Sequence, residues 1–230
     1  MQFLEKNMEG LRSALHELHS PRSPLRFLLV PMVHIADPAF YRGVAARLDG
    51  CDHVIVEGVA SFRVRLLTMS YKLPARKHAL GLVLQRDVLK HESLRAKVIA
   101  GDLRAAEFAD GWSGIPWLER LSLLLLSPLY GAYLYLFASR SSIIRRCGVE
   151  SQPTRVAELG SSAFENAIVH QRDRHLLSVI EKHIAEVDDQ QTTAVLYGGR
   201  HMPVVAQLLM GKYGYRVLNS SWLTAIELRD

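Results

Sequence analysis

The sequence predicts an α/β fold: a central, mixed and largely parallel sheet flanked by helices, with a helical insertion, or lid, in the middle of the chain. Three observations lead there. The short segments Arg26–His34, His53–Glu57 and Thr193–His201 carry the unbroken apolar runs of strands covered on both faces. Stretches of helical periodicity lie between them. The first two strands and the helix between them have the spacing of a β-α-β unit, for which a right-handed crossover is expected. At 230 residues, 49% hydrophobic and 22% charged, the chain can bury a sizeable core as one domain.

In order along the chain, Met1 to Leu18 reads as an amphipathic helix, because Phe3, Leu4, Leu11, Leu15 and Leu18 fall near one helical face. Ser20–Pro24 breaks it. The strand around Phe27–Val30 follows, and Asp37-Pro38 then opens a helix, with Asp37 as the cap and Pro38 in the first turn. That helix runs to about Leu48, Asp49-Gly50 ends it, and His53–Glu57 is the second strand. From about 61 to 146 the texture shifts to Lys, Arg, Leu and Ala, which predicts the helical insertion. Arg155–Leu159 is the next expected strand, followed by a long helix from Ser162 to Val187. Thr193–Tyr197 is a strand, Pro203 to about Tyr213 a helix, and Arg216–Asn219 and Leu223–Leu228 two final strands.

Within the insertion, Leu121–Ala138 carries no charge and lies between Arg120 and Arg140. Its length reaches the lower range for a bilayer span. Ser127-Pro128 and Gly131 interrupt it, which favours two buried helices or a hairpin packed on the lid or on a second subunit. A membrane span or an in-plane anchor is the alternative.

Net charge is +5 and spread along the chain, so no nucleic-acid partner is expected, while anionic headgroups remain compatible. Two cysteines, Cys51 and Cys147, form no CxxC pair, which argues against a zinc knuckle. The first residues lack a basic stretch followed by an apolar core, so a cytoplasmic protein, free or membrane-associated, is expected.

The chemistry-bearing residues stand at strand ends. His34 closes the first strand, Glu57 the second and His201 the third. In open α/β sheets, functional groups gather outside such ends. Glu57 follows His-Val-Ile-Val, where an unpaired carboxylate is costly to bury, so it needs a metal, an arginine or a donor. Gly198 and Gly199 precede Arg200-His201 and allow a tight turn close to a ligand. Arg172 and Asp173 interrupt the long helix, and Asp102 lies in a Gly-Asp break. Two imidazoles and a carboxylate make a first shell for a divalent ion such as Mn, Co or Zn. Neither an HExxH pair nor a GxSxG elbow occurs.

The order V-P-M-V-H, V-I-V-E, Q-R-D-R-H-L and Y-G-G-R-H-M-P resembles the TraB/PrgY–GumN–TIKI family, which is similar to the erythromycin esterase–ChaN fold class. The likeness spans the first sixty and last eighty residues. The second Gly-x-x-His motif is intact at Gly198–His201, while Pro31 replaces the first motif's glycine. The resemblance implies a metal-dependent, peptidase-like hydrolase. His34, Glu57 and His201 would hold the metal; Glu57, Arg172 and Asp173 would be catalytic, Glu57 as ligand or general base and Arg172 stabilising the oxyanion. The substrate would be a peptide or small molecule. Other members imply instead a non-catalytic peptide or small-ligand binder.

Overall fold

The computed structural model describes residues 1–58, 62–147 and 169–229. The chain begins with strands β1 (Leu4–Asn7), β2 (Gly10–Ser20) and β3 (Ser23–Met32), then the short β4 (Ile35–Ala36). Helix α1 (Pro38–Leu48) leads to β5 (His53–Val56). Next come α2 (Phe62–Leu67), α3 (Met69–Ala75), β6 (Val83–Leu84), α4 (Gln85–Val88) and β7 (Lys97–Ala100). Helices α5 (Ala105–Ser113), α6 (Trp117–Phe137) and α7 (Arg140–Arg146) follow. The last part holds α8 (Gln171–Glu186), β8 (Thr192–Gly198), α9 (Met202–Gln207) and β9 (Arg216–Glu227).

The fold is mixed α/β. Strands β3, β8, β5 and β7 are parallel neighbours in that order. β2 runs antiparallel to β3 and, along its other edge, to β9; β1 pairs with the first residues of β2. Successive side chains point to opposite faces, which builds two cores. Leu28, Val30, Val54, Val56, Ala194 and Leu196 face α1 through Phe40, Tyr41, Val44 and Leu48. Phe27, Leu29, Ile55 and Val195 face α8 and α9 through Leu176, Ile180, Met202 and Val205. Burial on both faces explains the unbroken apolar runs.

Five expectations are corrected. Residues 1–18 form no helix: Asn7 and Gly10 close a two-residue hairpin between β1 and β2, the Asn7 side chain accepting from the backbone N–H of Glu9 and Gly10 at 2.9 and 3.0 Å. Gly10 has φ +138°, and a Cβ there would strike the Ile226 carbonyl, so the turn depends on glycine. Asp37 stands at the start of α1 but makes no side-chain cap; it accepts from Arg140 Nη2 at 2.5 Å and from the Glu227 N–H at 2.8 Å. The middle segment is not wholly helical, because Lys97–Ala100 joins the main sheet as an edge strand. The two expected final strands are one strand, Arg216–Glu227, bent by register shifts.

The segment Leu121–Ala138 is neither a hairpin nor two helices. All of it but Ala138 lies in the single 21-residue helix α6, which continues through Pro128. Among the described residues this is the one helix long and apolar enough to cross a membrane by length and composition. The expected strand Arg155–Leu159 and the start of the helix from Ser162 lie outside the described residues.

Candidate functional site

The four parallel strands end at one edge of the sheet, and chemistry-bearing residues follow each end. His34 lies just beyond β3, Glu57 beyond β5, Asp102 beyond β7 and His201 beyond β8. Arg172 and Asp173 come to the same edge from the first turn of α8. The fold achieves this by packing α8 across Ile55 and Tyr197 through Leu176 and Ile180. Gly101 lets the chain come close: a Cβ there would lie 2.5 Å from Ile55 Cγ2 and 3.2 Å from Leu176 Cδ1.

Arg172 is the centre of the cluster. Its Nε and Nη2 donate to the two Asp102 carboxylate oxygens at 2.9 and 2.7 Å, and Nη2 also donates to Glu57 Oε1. Tyr197 presents its hydroxyl 3.4 Å from Nη2 and its ring beneath the guanidinium, 5.6 Å away. The second Glu57 oxygen accepts from the Gly198 N–H at 2.7 Å. Asp102 further accepts from the N–H groups of Gly58 and Leu103 at 3.1 and 2.9 Å. Such a network satisfies buried charges that would otherwise be costly. The hydrogen bonds of Arg172 to the described residues run through Nε and Nη2.

Burial works to raise the Glu57 pKa, but the nearby His34, Arg172 and His201 charges outweigh it and hold the carboxyl down to about 2. Glu57 is therefore ionised at neutral pH. Burial lifts the Tyr197 hydroxyl above its usual range, so it stays protonated.

Asp173 Oδ1 lies 2.6 Å from His201 Nδ1. His201 is buried, with its ring edge-on to Tyr197 at 5.0 Å. A Cβ on Gly198 would sit 3.1 Å from Glu57 Oε2 and 3.6 Å from His201 Cδ2, so this glycine lets carboxylate and imidazole approach together. Gly199 has a packing role: a Cβ there would lie 2.8 Å from Leu4 Cδ1.

Above this floor is a cleft of about 450 Å³ lined by His34, Glu57, Asp102 and Arg172. The middle segment supplies its walls: Val64 and Leu67 from α2, Tyr71 and Lys72 from α3, Gln85 and Arg86 from α4, and Phe108 from α5. His34 is exposed, and its ring stacks on Tyr71 with centroids 4.9 Å apart. His201 is not among the lining residues; it supports the floor from behind Gly198.

The structure thus gathers His34, Glu57, Asp102, Arg172, Asp173 and His201 at one edge. Among the described residues no group of three or more His, Cys, Asp or Glu side chains is placed to hold a metal ion. Both Glu57 oxygens and both Asp102 oxygens accept hydrogen bonds, and Asp173 orients the His201 ring through Nδ1. Within this network Arg172 is the cation paired with both carboxylates.

Sequence reasoning missed Tyr71, Tyr197 and the cations Lys72, Arg86 and Lys90 along the cleft. Tyr197 had a signal, since it is the first residue of the Tyr-Gly-Gly-Arg-His motif. Compared with known proteins, the chain matches no family model, no curated protein and no solved structure.

Proposed function

We propose that the chain is a hydrolase acting on a small molecule or short peptide at the cleft over Glu57, Asp102 and Arg172, by acid–base chemistry of its own side chains. One observation carries this reading: residues from four strand ends and one helix start converge beneath a single cleft, where α/β folds place ligands. The hydrolase class is also what the motif order implies by its resemblance to the TraB/PrgY–GumN–TIKI family. Glu57 is too weak a base for a neutral-pH reaction, and both its oxygens are engaged. It anchors Arg172 instead. His34, in the cleft and exposed, accepts the proton of the attacking water as the new C–O bond forms and returns it to the leaving oxygen or nitrogen as the ester or amide bond breaks, while the negative charge of Glu57 balances the imidazolium between the two steps. Arg172 Nη1 holds the oxygen on which charge develops; the carboxylates behind it fix the guanidinium before the substrate arrives. Lys72, Arg86 and Lys90 along the same cleft favour a substrate with an anionic group.

The test is turnover of p-nitrophenyl acyl esters and aminoacyl p-nitroanilides by wild type and His34→Ala. Hydrolysis by wild type that falls about 10²–10⁴-fold in the variant, with an unchanged circular-dichroism spectrum, supports the proposal. Equal rates in both would end it. A second reading is a binding protein that holds an acidic ligand without turnover, favoured by the closed ion-pair network at the floor. It predicts calorimetric binding of an anionic peptide that survives His34→Ala.

A further inference from the structure

We infer that α6 lies flat in the headgroup region of an anionic membrane, seating the protein on the lipid surface without crossing it. The inference stands on residues remote from the cleft floor and does not depend on hydrolysis.

A 21-residue helix measures about 31 Å at the usual helical rise, and one long face of α6 is open to solvent. Leu118, Leu125, Leu126, Leu129, Leu136 and Phe137 are each more than half exposed. The exposed stripe carries no charged side chain from Leu121 to Phe137. A contiguous apolar face of this length marks an interaction surface on a soluble body.

The opposite face is cemented to the protein. Ser127 Oγ donates to the Leu67 carbonyl at 2.5 Å, and Lys77 Nζ donates to the carbonyls of Leu136 and Ala138 at 3.1 and 3.0 Å. Gly131 rests on the backbone of Met69, where any Cβ would collide. A helix tied along its length to α2 and α3 cannot cross a bilayer alone, since it would carry Lys72 and other α3 polar groups into hydrocarbon. It can lie in the interface, buried about 5–10 Å deep on its free face.

Charge decides between lipid and a second copy of the chain. Arg145 and Arg146 are exposed at the end of α7, outside the apolar face. Arg146 also lies over the Tyr130 ring at 5.5 Å, which joins the cationic edge to the stripe. Anionic headgroups neutralise these exposed arginines, whereas the same stripe on a second copy offers them no carboxylate from Leu121 to Phe137. Tyr130 and Tyr133 stack at 6.3 Å on the exposed side, the amphipathic ring type that settles at headgroup depth.

The experiment is flotation of the full chain with vesicles of phosphatidylcholine alone and of phosphatidylcholine with 30% phosphatidylglycerol. Wild type should float with the anionic vesicles. Leu125→Glu with Leu129→Glu should lower the partition coefficient at least about tenfold, since both side chains point to solvent and the fold does not need them. Arg145→Glu with Arg146→Glu should remove the preference for anionic lipid. If wild type stays unbound to both vesicle types, or the leucine pair changes nothing, the inference fails. It fails too if light scattering shows a dimer that the leucine substitutions dissociate in the absence of lipid.

Discussion

Asp173 holds the Nδ1 of His201 at 2.6 Å, while its sequence neighbour Arg172 engages Glu57 and Asp102. One turn of α8 thereby sends opposite charges to three strand ends, Arg172 to those of β5 and β7 and Asp173 to that of β8. The helix start and the sheet edge are coupled, so substitutions there should report on both stability and chemistry.

Arg172→Met leaves two buried carboxylates facing each other without their cation. The expected cost is about 3–5 kcal/mol of unfolding free energy, read from urea denaturation. Arg172→Lys keeps a charge but loses the two-pronged contact with Asp102, and should fall between wild type and Arg172→Met. A loss below 1 kcal/mol for Arg172→Met would contradict the buried network.

Acid should weaken the fold through Glu57. Its carboxyl titrates near 2 in the folded chain against an ordinary 4.5, so the folded state is favoured at and above pH 4.5 by about 3 kcal/mol. That stabilisation drains away as the pH falls from 4.5 toward 2. Glu57→Gln should be less stable at neutral pH and should show a flatter stability profile across this acid range. Equal slopes for both proteins would remove Glu57 as the acid-sensitive group.

Chelation separates the side-chain mechanism from a metal centre. Dialysis against EDTA should leave both melting temperature and turnover unchanged, and elemental analysis should find far less than one metal per chain. Stoichiometric Mn, Co or Zn that disappears in His201→Ala would restore the metal reading of His34, Glu57 and His201.

Gly131→Val probes the joint between α3 and α6. The side chain would enter the Met69 backbone and force the helices apart, at a cost of about 1–3 kcal/mol in thermal or chemical unfolding. Gly50→Val, at a position with nothing nearby, serves as the control for loss of glycine itself.

The strands around Phe27–Val30, His53–Val56 and Thr193–Tyr197 were legible because both their faces are buried, so a continuous apolar run marked each one. The same regularity exposed Glu57 and His201 as breaks in the pattern. The hairpin of β1 and β2 was misread for a related reason. β2 is covered on both faces along most of its length, which erases the alternation of a half-buried strand, and Leu11, Leu15 and Leu18 fell by chance at helical spacing. The stronger signal was Asn7 and Gly10 around Met8-Glu9. β9 read as two pieces because it is an edge strand, largely exposed through Arg216–Ser220, with polar residues at its centre. Of the site, the position of each residue followed from strand ends, but the partner of each did not. That Arg172 reaches Glu57 depends on how α8 packs across the sheet, which no local pattern encodes.

The pairing of β2 with β9 sets a condition on biosynthesis. His16 Nδ1 meets Ser220 Oγ at 2.8 Å across 204 positions of the chain. While the ribosome is still at work, β2 waits with one bare hydrogen-bonding edge until Arg216–Glu227 has emerged, and a chaperone that shields this edge would protect the nascent chain from pairing with its neighbours.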